Sequence, residues 1–189
     1  SNSLVAGATW EIDYARCQMP TETWLYPLIK LNGTDSDNDG ALDSWEKQFG
    51  YDAFKWDDHE HLDPDNDGLT NIEECFTAKW NSNPFKKDIF LEVDWMRSQI
   101  GNPDQNRLSK EDIKIMQDIF AENDITLHVD HGELGGGEQV LYQSNFSYAD
   151  LRDIYWDYFL HEDLNNPRKG VFHYCIINDF GPGPGFAFI

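Results

Sequence analysis

Basic residues are scarce in this 189-residue chain: lysine and arginine together number 14, against 35 aspartate and glutamate residues. The formal net charge is therefore −21 at pH 7. Nucleic acids and anionic lipid surfaces attract proteins through clustered lysine and arginine, so a chain this acidic is repelled by both. We expect no nucleic-acid partner and no binding to an anionic membrane surface.

Long apolar runs are also missing. A membrane-spanning helix needs roughly 18 or more consecutive apolar residues, and the runs in this sequence are far shorter. No stretch has the character of a secretory signal peptide, so we expect a mature or trimmed product that does not insert into a membrane. Aromatic residues make up 14% of the chain, including seven tryptophans, which argues against disorder and for a packed core.

Cysteine is also scarce, with three residues in the chain. Cys17, Cys75 and Cys175 are far apart and form no CxxC pair, which excludes a zinc knuckle and a thioredoxin-type redox motif. In an oxidising compartment Cys17 and Cys75 could close a disulfide; in a reducing one they stay free thiols. Cys175 lies in an apolar run and is predicted to be a buried free thiol.

Aspartate, in contrast, is concentrated and regularly spaced in two segments, the first loop (Asp35–Glu46) and the second loop (Asp63–Glu74). Each has oxygen-bearing side chains at positions 1, 3, 5, 9 and 12 and glycine at position 6, which is the spacing of an EF-hand Ca²⁺ loop. The backbone carbonyl of position 7 adds a ligand, and the glutamate at position 12 binds through both oxygens. The predicted ligands of two Ca²⁺ ions are Asp35, Asp37, Asp39, Ala41, Asp43 and Glu46 in the first loop, and Asp63, Asp65, Asp67, Leu69, Asn71 and Glu74 in the second.

The competing interpretation is two solvated acidic turns, because Asp, Asn and Gly are common in turns. Two complete matches to the ligand pattern favour Ca²⁺ binding over that alternative. Mg²⁺ is a weaker candidate, since it requires a rigid octahedron and keeps several of its waters. Short helices are predicted directly after the ligand positions, from Asp43 to Phe49 and from Asn71 to Trp80. Neither loop follows a long helical pattern, so each is an EF-hand-like loop with an exit helix only.

The rest of the chain alternates strand and helix patterns, which predicts an α/β fold with three or more largely parallel strands joined by crossover helices. This domain follows a small EF-hand-like calcium module. The predicted organisation is an aromatic-rich N-terminal segment (1–34), the calcium-binding module (35–82) and the α/β domain (83–189). Gly181–Ile189 resembles a loop entering another element, which would leave the domain incomplete at its C-terminus. Strands are predicted at 88–95, 125–130 and 171–177, helices from Ser109 to Asn123 and from Tyr148 to Leu160, and a flexible loop at 132–137.

Asp37–Glu46 and Asp63–Glu74 resemble the paired bacterial thrombospondin type 3-like calcium repeats of many secreted proteins. The sequence departs from those repeats at Ala41 and Leu42, where they usually have Leu-Pro. The resemblance implies two structural Ca²⁺ ions and a location outside the cell or at its surface. Acidic Ca²⁺ sites that need millimolar concentrations are likewise typical of extracellular modules.

Three further segments, Lys87–Met96, Ile125–Glu133 and Lys169–Tyr174, resemble the region that precedes the catalytic helix in a group of secreted, repeat-bearing, zincin-like metallopeptidases. In that group a His-Glu-x-x-His helix binds Zn²⁺ and activates water. This sequence contains no such motif, so no catalytic residue is transferred to it and Zn²⁺ is expected only in a longer parent.

Other residues with functional chemistry have simpler interpretations. His128 and His131 are three apart at a strand end and face opposite ways, so a zinc site there is not expected. The linker 57–61 is interpreted as solvated and acidic, although His61 could approach the second ion. Gly135–Gly137 lacks the Lys-Ser/Thr of a phosphate loop.

Strand positions have similarly simple interpretations. His173 is interpreted as a hydrogen-bonded core histidine. Glu92 and Asp94 share one face of the first strand, expected to be solvated and without a partner nucleophile.

The favoured hypothesis is a secreted or surface calcium-binding protein whose α/β part corresponds to the non-catalytic front half of a zincin-like peptidase, with calcium in a structural role. The alternative is a non-enzymatic, calcium-stabilised assembly or adhesion subunit of a filament or cell-surface layer. Its apolar tail, Phe186–Ile189, would pair with a neighbouring copy by strand addition.

Overall fold

A computed structural model describes residues 29–143, 148–178 and 186–188. These residues form two compact units: the first unit contains residues 29–89 and 111–128, and the second contains 90–110, 129–178 and 186–188. The predicted N-terminal segment, including Cys17, lies almost wholly outside the described residues. The predicted boundaries after residues 34 and 82 stay predictions.

The two exit helices of the first unit are confirmed. Helix α1 spans Asp43–Phe49 and ends at Gly50, whose φ of 86° is the left-handed conformation that favours glycine. The backbone N–H of Gly50 donates to the carbonyl of Glu46 and closes the last turn of the helix. Helix α2 spans Asn71–Thr77 and continues as a 3₁₀ turn over Ala78–Trp80, so the predicted helix to Trp80 tightens in its last turn.

A small apolar core lies between these two helices. Its buried members are Ala41, Trp45 and Cys75. Cys75 is a free, buried thiol, and burial raises its pKa to about 11. The disulfide with Cys17 stays a prediction, because Cys17 lies outside the described residues. The partly buried side chains around this core are Leu31, Leu42, Phe49, Tyr51, Ile72 and Ala78.

The predicted alternation of strands and helices is also present. The first strand is one residue longer than predicted, and the helix predicted to reach Leu160 ends in a π-helical turn, Tyr155–Phe159. No helix among the described residues has the length and apolar character needed to cross a bilayer. The elements are β1 (Asp88–Met96), α3 (Lys110–Ala121), β2 (Thr126–Asp130), β3 (Gln139–Val140), α4 (Tyr148–Ile154), α5 (Arg168–Val171), β4 (Phe172–Ile177) and β5 (Phe186–Phe188).

The strands form one sheet in the order β2-β1-β4-β5, with β3 also pairing with β1. Strands β1 and β4 are parallel, with Phe90 opposite Phe172 and Trp95 opposite Ile177. Strand β3 is parallel to β1, and the short β5 is antiparallel to β4. The predicted α/β fold with a largely parallel sheet is therefore confirmed.

Two predictions about strand faces are wrong. Glu92 and Asp94 are both 0% exposed, because β1 is covered on both faces like other central parallel strands. His173 is exposed and is no core histidine, since β4 alternates strictly and buries Phe172, Tyr174 and Ile176. Cys175, on the same face as His173, is a free and partly buried thiol.

Candidate metal centres

The two acidic loops have the same backbone turn. Asp35 and Asp63, at position 1, each accept a hydrogen bond at Oδ2 from the N–H of the glycine at position 6, at 3.1 Å in both loops. These glycines, Gly40 and Gly68, have φ values of 97° and 99°, which bulkier residues rarely adopt. The first aspartate of each loop is thereby folded back over the turn, towards the centre of the loop.

The aspartates at position 5, Asp39 and Asp67, connect each loop to a later segment. Asp39 Oδ2 accepts a hydrogen bond from the N–H of Asp57 at 3.2 Å, 18 residues along the chain. Asp67 Oδ2 accepts one from the N–H of Asp88 at 2.7 Å, 21 residues along. In each loop, therefore, the position 5 aspartate accepts a hydrogen bond from a backbone N–H that lies outside the 12-residue ligand pattern.

The glutamates at position 12 are the most unusual side chains of these loops. Glu46 is 0% exposed and Glu74 is 1% exposed, and all four of their carboxylate oxygens lack a hydrogen-bond partner among the described residues. Burial, and then the nearby carboxylates, raise the pKa of Glu46 to about 7 and that of Glu74 to about 8. A buried carboxylate without a partner is strongly unfavourable, and a bound cation is one way to satisfy it.

Most of the predicted side-chain ligands come together. Both oxygens of Asp37, and Oδ2 of Asp65, are also buried without a partner. Burial raises the pKa of Asp65 to about 6. Ligand oxygens within 4.8 Å of one another are contributed by Asp35, Asp37 and Asp39 in the first loop and by Asp63, Asp65 and Asp67 in the second.

Each loop also has a ligand group that includes a residue from outside it. In the first loop, Asp39 and Glu46 gather with His59; in the second, Asp67 and Glu74 gather with Asp88. Neither His59 nor Asp88 follows from the loop spacing. The linker 57–61 was expected to be solvated, and its His61 is indeed exposed beside Asp58, but its His59 is fully buried.

The residues at position 9 are engaged elsewhere. Asp43 accepts hydrogen bonds from the backbone N–H and the hydroxyl of Ser36, at 2.8 and 2.9 Å. Asn71 places its side-chain amide 2.8 Å from Nδ1 of His59. Asp43 therefore supports the first loop instead of joining the ligand groups found among the described residues, and Asn71 as a ligand stays a prediction. The carbonyls of Ala41 and Leu69 stay predictions.

Helix α2 is anchored so that Glu74 points inward. At its start, the backbone N–H and the hydroxyl of Thr70 donate to Glu73 Oε2, at 2.7 and 3.0 Å. Further on, the Ser82 hydroxyl donates to the carbonyl of Glu74 at 3.0 Å. Because Glu73 is held at the helix start, the next side chain faces the aspartates of the second loop.

Asp88 is itself held in place. Its Oδ2 accepts from the N–H of Asn83 at 2.9 Å, and its Oδ1 lies 2.5 Å from Nε2 of His128. His128 is partly buried, and its imidazole orients Asp88. An outer hydrogen-bond partner of this kind fixes the position of a ligating carboxylate.

A separate polar cluster lies in the second unit, around Arg168. The guanidinium donates from Nε to Glu92 Oε2 and from Nη2 to Asp130 Oδ2, both at 2.6 Å. Burial raises the pKa of Asp130, but hydrogen bonds from neighbouring backbone N–H groups and the charge of Arg168 outweigh burial and lower it overall. A Cβ at Gly136 would lie 2.4 Å from Glu92, so only glycine fits there.

Asp94 is the third buried carboxylate of this cluster. It accepts from the Tyr174 hydroxyl at 2.6 Å and from the N–H of Glu138 at 2.7 Å. Burial raises its pKa to about 6. All three buried carboxylates of this cluster, Glu92, Asp94 and Asp130, thus have donors within the chain, and the cluster needs no ligand to be satisfied.

Comparison of the chain with protein families, with curated proteins and with solved structures found no match. The geometry of the two loops is therefore the basis of the functional proposal.

Proposed function

We propose that this protein binds two divalent cations, one at each acidic loop, and that the physiological ion is Ca²⁺. The observation that carries the proposal is the burial of Glu46 and Glu74, whose four carboxylate oxygens have no hydrogen-bond partner and face the aspartates of their loops. A bound cation removes the repulsion between these carboxylates and satisfies their oxygens.

The ligand chemistry supports Ca²⁺ over Mg²⁺. Each loop offers several carboxylates and a predicted backbone carbonyl, and Ca²⁺ takes six to eight oxygen ligands in flexible geometry. Mg²⁺ would require a near-ideal octahedron and would keep waters that these crowded sites have little room for.

The proposed role of the ions is structural. Each ion would tie the start of an exit helix to its loop and to the later segment that contributes His59 or Asp88. We propose a location outside the cell or at its surface, where Ca²⁺ is abundant enough to fill acidic sites. The resemblance to the front half of zincin-like peptidases supports this location, and the absence of His-Glu-x-x-His from the sequence supports a non-catalytic role for these residues.

Isothermal titration calorimetry of the chelator-treated chain with Ca²⁺ tests the proposal. We expect two bound ions per chain, and one fewer in Glu74→Gln, because the second loop then loses a carboxylate ligand. The matched control is Glu60→Gln, an exposed glutamate between the loops, which should still bind two. No uptake at millimolar Ca²⁺ would refute the proposal.

A second candidate function, self-assembly, is favoured by one observation. Ile115 and Ile119 lie one turn apart on α3 and are 58% and 56% exposed. Such a pair suits a contact with a second copy of the chain. Light scattering with and without Ca²⁺ tests it: a dimer that Ile115→Glu dissociates supports assembly, and a monomer at all concentrations refutes it.

A further inference from the structure

We propose that the two loops differ in metal preference: the first is a mixed nitrogen–oxygen site, closed by His59, that accepts first-row transition ions more readily than the second, which is an all-oxygen calcium site. The inference rests on the proposed function, in that both loops bind a divalent cation.

The position of His59 supports its role as a ligand. Its Nε2 lies 3.3 Å from Asp39 Oδ2 and 3.7 Å from Glu46 Oε1. Atoms that bind one ion at about 2.1 Å lie roughly 3.0–3.4 Å apart, so these separations suit a shared ion after a small adjustment. The imidazole is 0% exposed, and Nε2 has no hydrogen-bond partner.

The ring cannot easily turn away. The rings of Trp45 and Tyr51 meet it at interplanar angles of 90° and 88°, with centroids 5.7 and 4.8 Å away. These two aromatic rings hold the imidazole plane, with Nε2 directed at the carboxylates of Asp39 and Glu46. A side chain held in this way binds an ion with little loss of conformational entropy.

The other ring nitrogen has the partner that a metal-binding histidine usually has. Nδ1 lies 2.8 Å from the side-chain amide of Asn71, whose Oδ1 has no partner. With the amide turned so that Oδ1 accepts from Nδ1–H, the lone pair of Nε2 is available to the ion. This rotation also satisfies the orphaned amide oxygen.

Ligand chemistry then separates the two loops. Imidazole nitrogen suits first-row transition ions such as Zn²⁺, Cu²⁺, Fe²⁺ and Ni²⁺, whereas Ca²⁺ takes oxygen ligands; Mn²⁺ serves as the paramagnetic probe of that nitrogen. In the second loop the equivalent position is occupied by the carboxylate of Asp88, which leaves that group with oxygen donors only. The same sequence pattern therefore builds two sites that differ in one donor atom.

Pulsed electron paramagnetic resonance of Mn²⁺ tests the inference on the whole chain. The chelator-treated chain receives Ca²⁺ and one equivalent of Mn²⁺, and the spectrum is examined for a hyperfine coupling to ¹⁴N. We expect this coupling in the unsubstituted chain and its replacement by a ¹⁵N coupling when histidine is ¹⁵N-labelled. Because this arm needs no substitution, it does not depend on whether a variant folds.

Variants then assign the nitrogen. In His59→Gln we expect the coupling to disappear and the Mn²⁺ affinity to fall by roughly tenfold or more, with a smaller change for Ca²⁺. His61→Gln is the control, because His61 is exposed in the same linker. It should keep the coupling.

The outcomes separate the two proposals. Binding of two Ca²⁺ ions without any histidine nitrogen on Mn²⁺ overturns this inference and leaves the calcium proposal standing. Loss of the coupling in His61→Gln instead of His59→Gln also overturns it. A chain that takes up neither ion refutes both proposals.

Discussion

Both compact units bury carboxylates, but they neutralise them differently. In the second unit, Glu92 and Asp130 share the guanidinium of Arg168, and Asp94 accepts from Tyr174. In the first unit, Glu46 and Glu74 are equally buried and have no hydrogen-bond partner among the described residues. A buried carboxylate is therefore not by itself a sign of a ligand site. A buried carboxylate that has no hydrogen-bond partner within the protein is such a sign.

Removal of the ions should have the largest effect and should act through the first unit. With Ca²⁺ at about a hundred times Kd, each ion stabilises the fold by about 2.7 kcal/mol, or about 5 kcal/mol for two. We expect EDTA to lower the unfolding midpoint by roughly 10–20 °C for a chain of this size. Differential scanning calorimetry measures it, and excess Ca²⁺ should restore the midpoint. An unchanged midpoint would contradict a structural role.

The chelated chain should also show an unusual pH dependence. Burial raises the pKa of Glu46 to about 7 and of Glu74 to about 8, from an ordinary value of 4.5. Between pH 4.5 and the raised pKa values, the ion-free folded chain holds protons that the unfolded chain has released. The free energy of unfolding of the ion-free chain therefore falls as pH rises through this range. With Ca²⁺ bound this trend should disappear or reverse, because acid displaces the ions. Urea denaturation from about pH 5 to 8 compares the two states; parallel profiles would contradict the prediction.

Substitution of Arg168 by Met should disrupt the second unit without involving the ions. It leaves Glu92 and Asp130 buried without their cation, at a loss of about 3–5 kcal/mol in the free energy of unfolding. Urea denaturation should give the same loss with Ca²⁺ and with EDTA. The control Arg97→Met removes an exposed guanidinium and should change stability little. A loss that appears only with EDTA would mean that the clusters are coupled.

A smaller effect is expected from Tyr174→Phe. The substitution removes the hydroxyl that donates to the buried Asp94, and an unsatisfied acceptor of this kind destabilises by about 1–3 kcal/mol. Chemical denaturation measures the change, again with and without Ca²⁺. Tyr158→Phe, a half-buried tyrosine in the π-helical turn, is the matched control. Equal losses in the two variants would mean that the Asp94 contact contributes little.

Local features were predictable from the sequence because they depend on neighbouring residues. Alternation of apolar residues predicted β1, and the end of the first ligand pattern predicted the short helix α1 from Asp43 to Phe49. The spacing of aspartates around Gly40 and Gly68 predicted two turns that gather carboxylates, and these turns form. In each case the deciding interactions span only a few residues.

Features that depend on distant residues were not predictable in this way. Glu92 and Asp94 alternate with apolar residues like the solvated face of a strand, yet the face is covered by Arg168 and Tyr174 from the far end of the sequence. His59 lies among charged residues typical of a solvated linker, yet Trp45 and Tyr51 enclose it. The periodicity of apolar residues indicates which residues share a face, but it does not indicate what packs against that face.

The sequence by itself determined the fold class and the two carboxylate-rich turns, since backbone preference and ligand spacing act over short distances. Only the tertiary structure decided which side chain closes each turn, His59 in one and Asp88 in the other, and which buried carboxylates have a partner. The physical reason is that the hydrogen-bond or ion-pair partner of a buried side chain depends on which distant segments pack together, and no local sequence pattern encodes this packing.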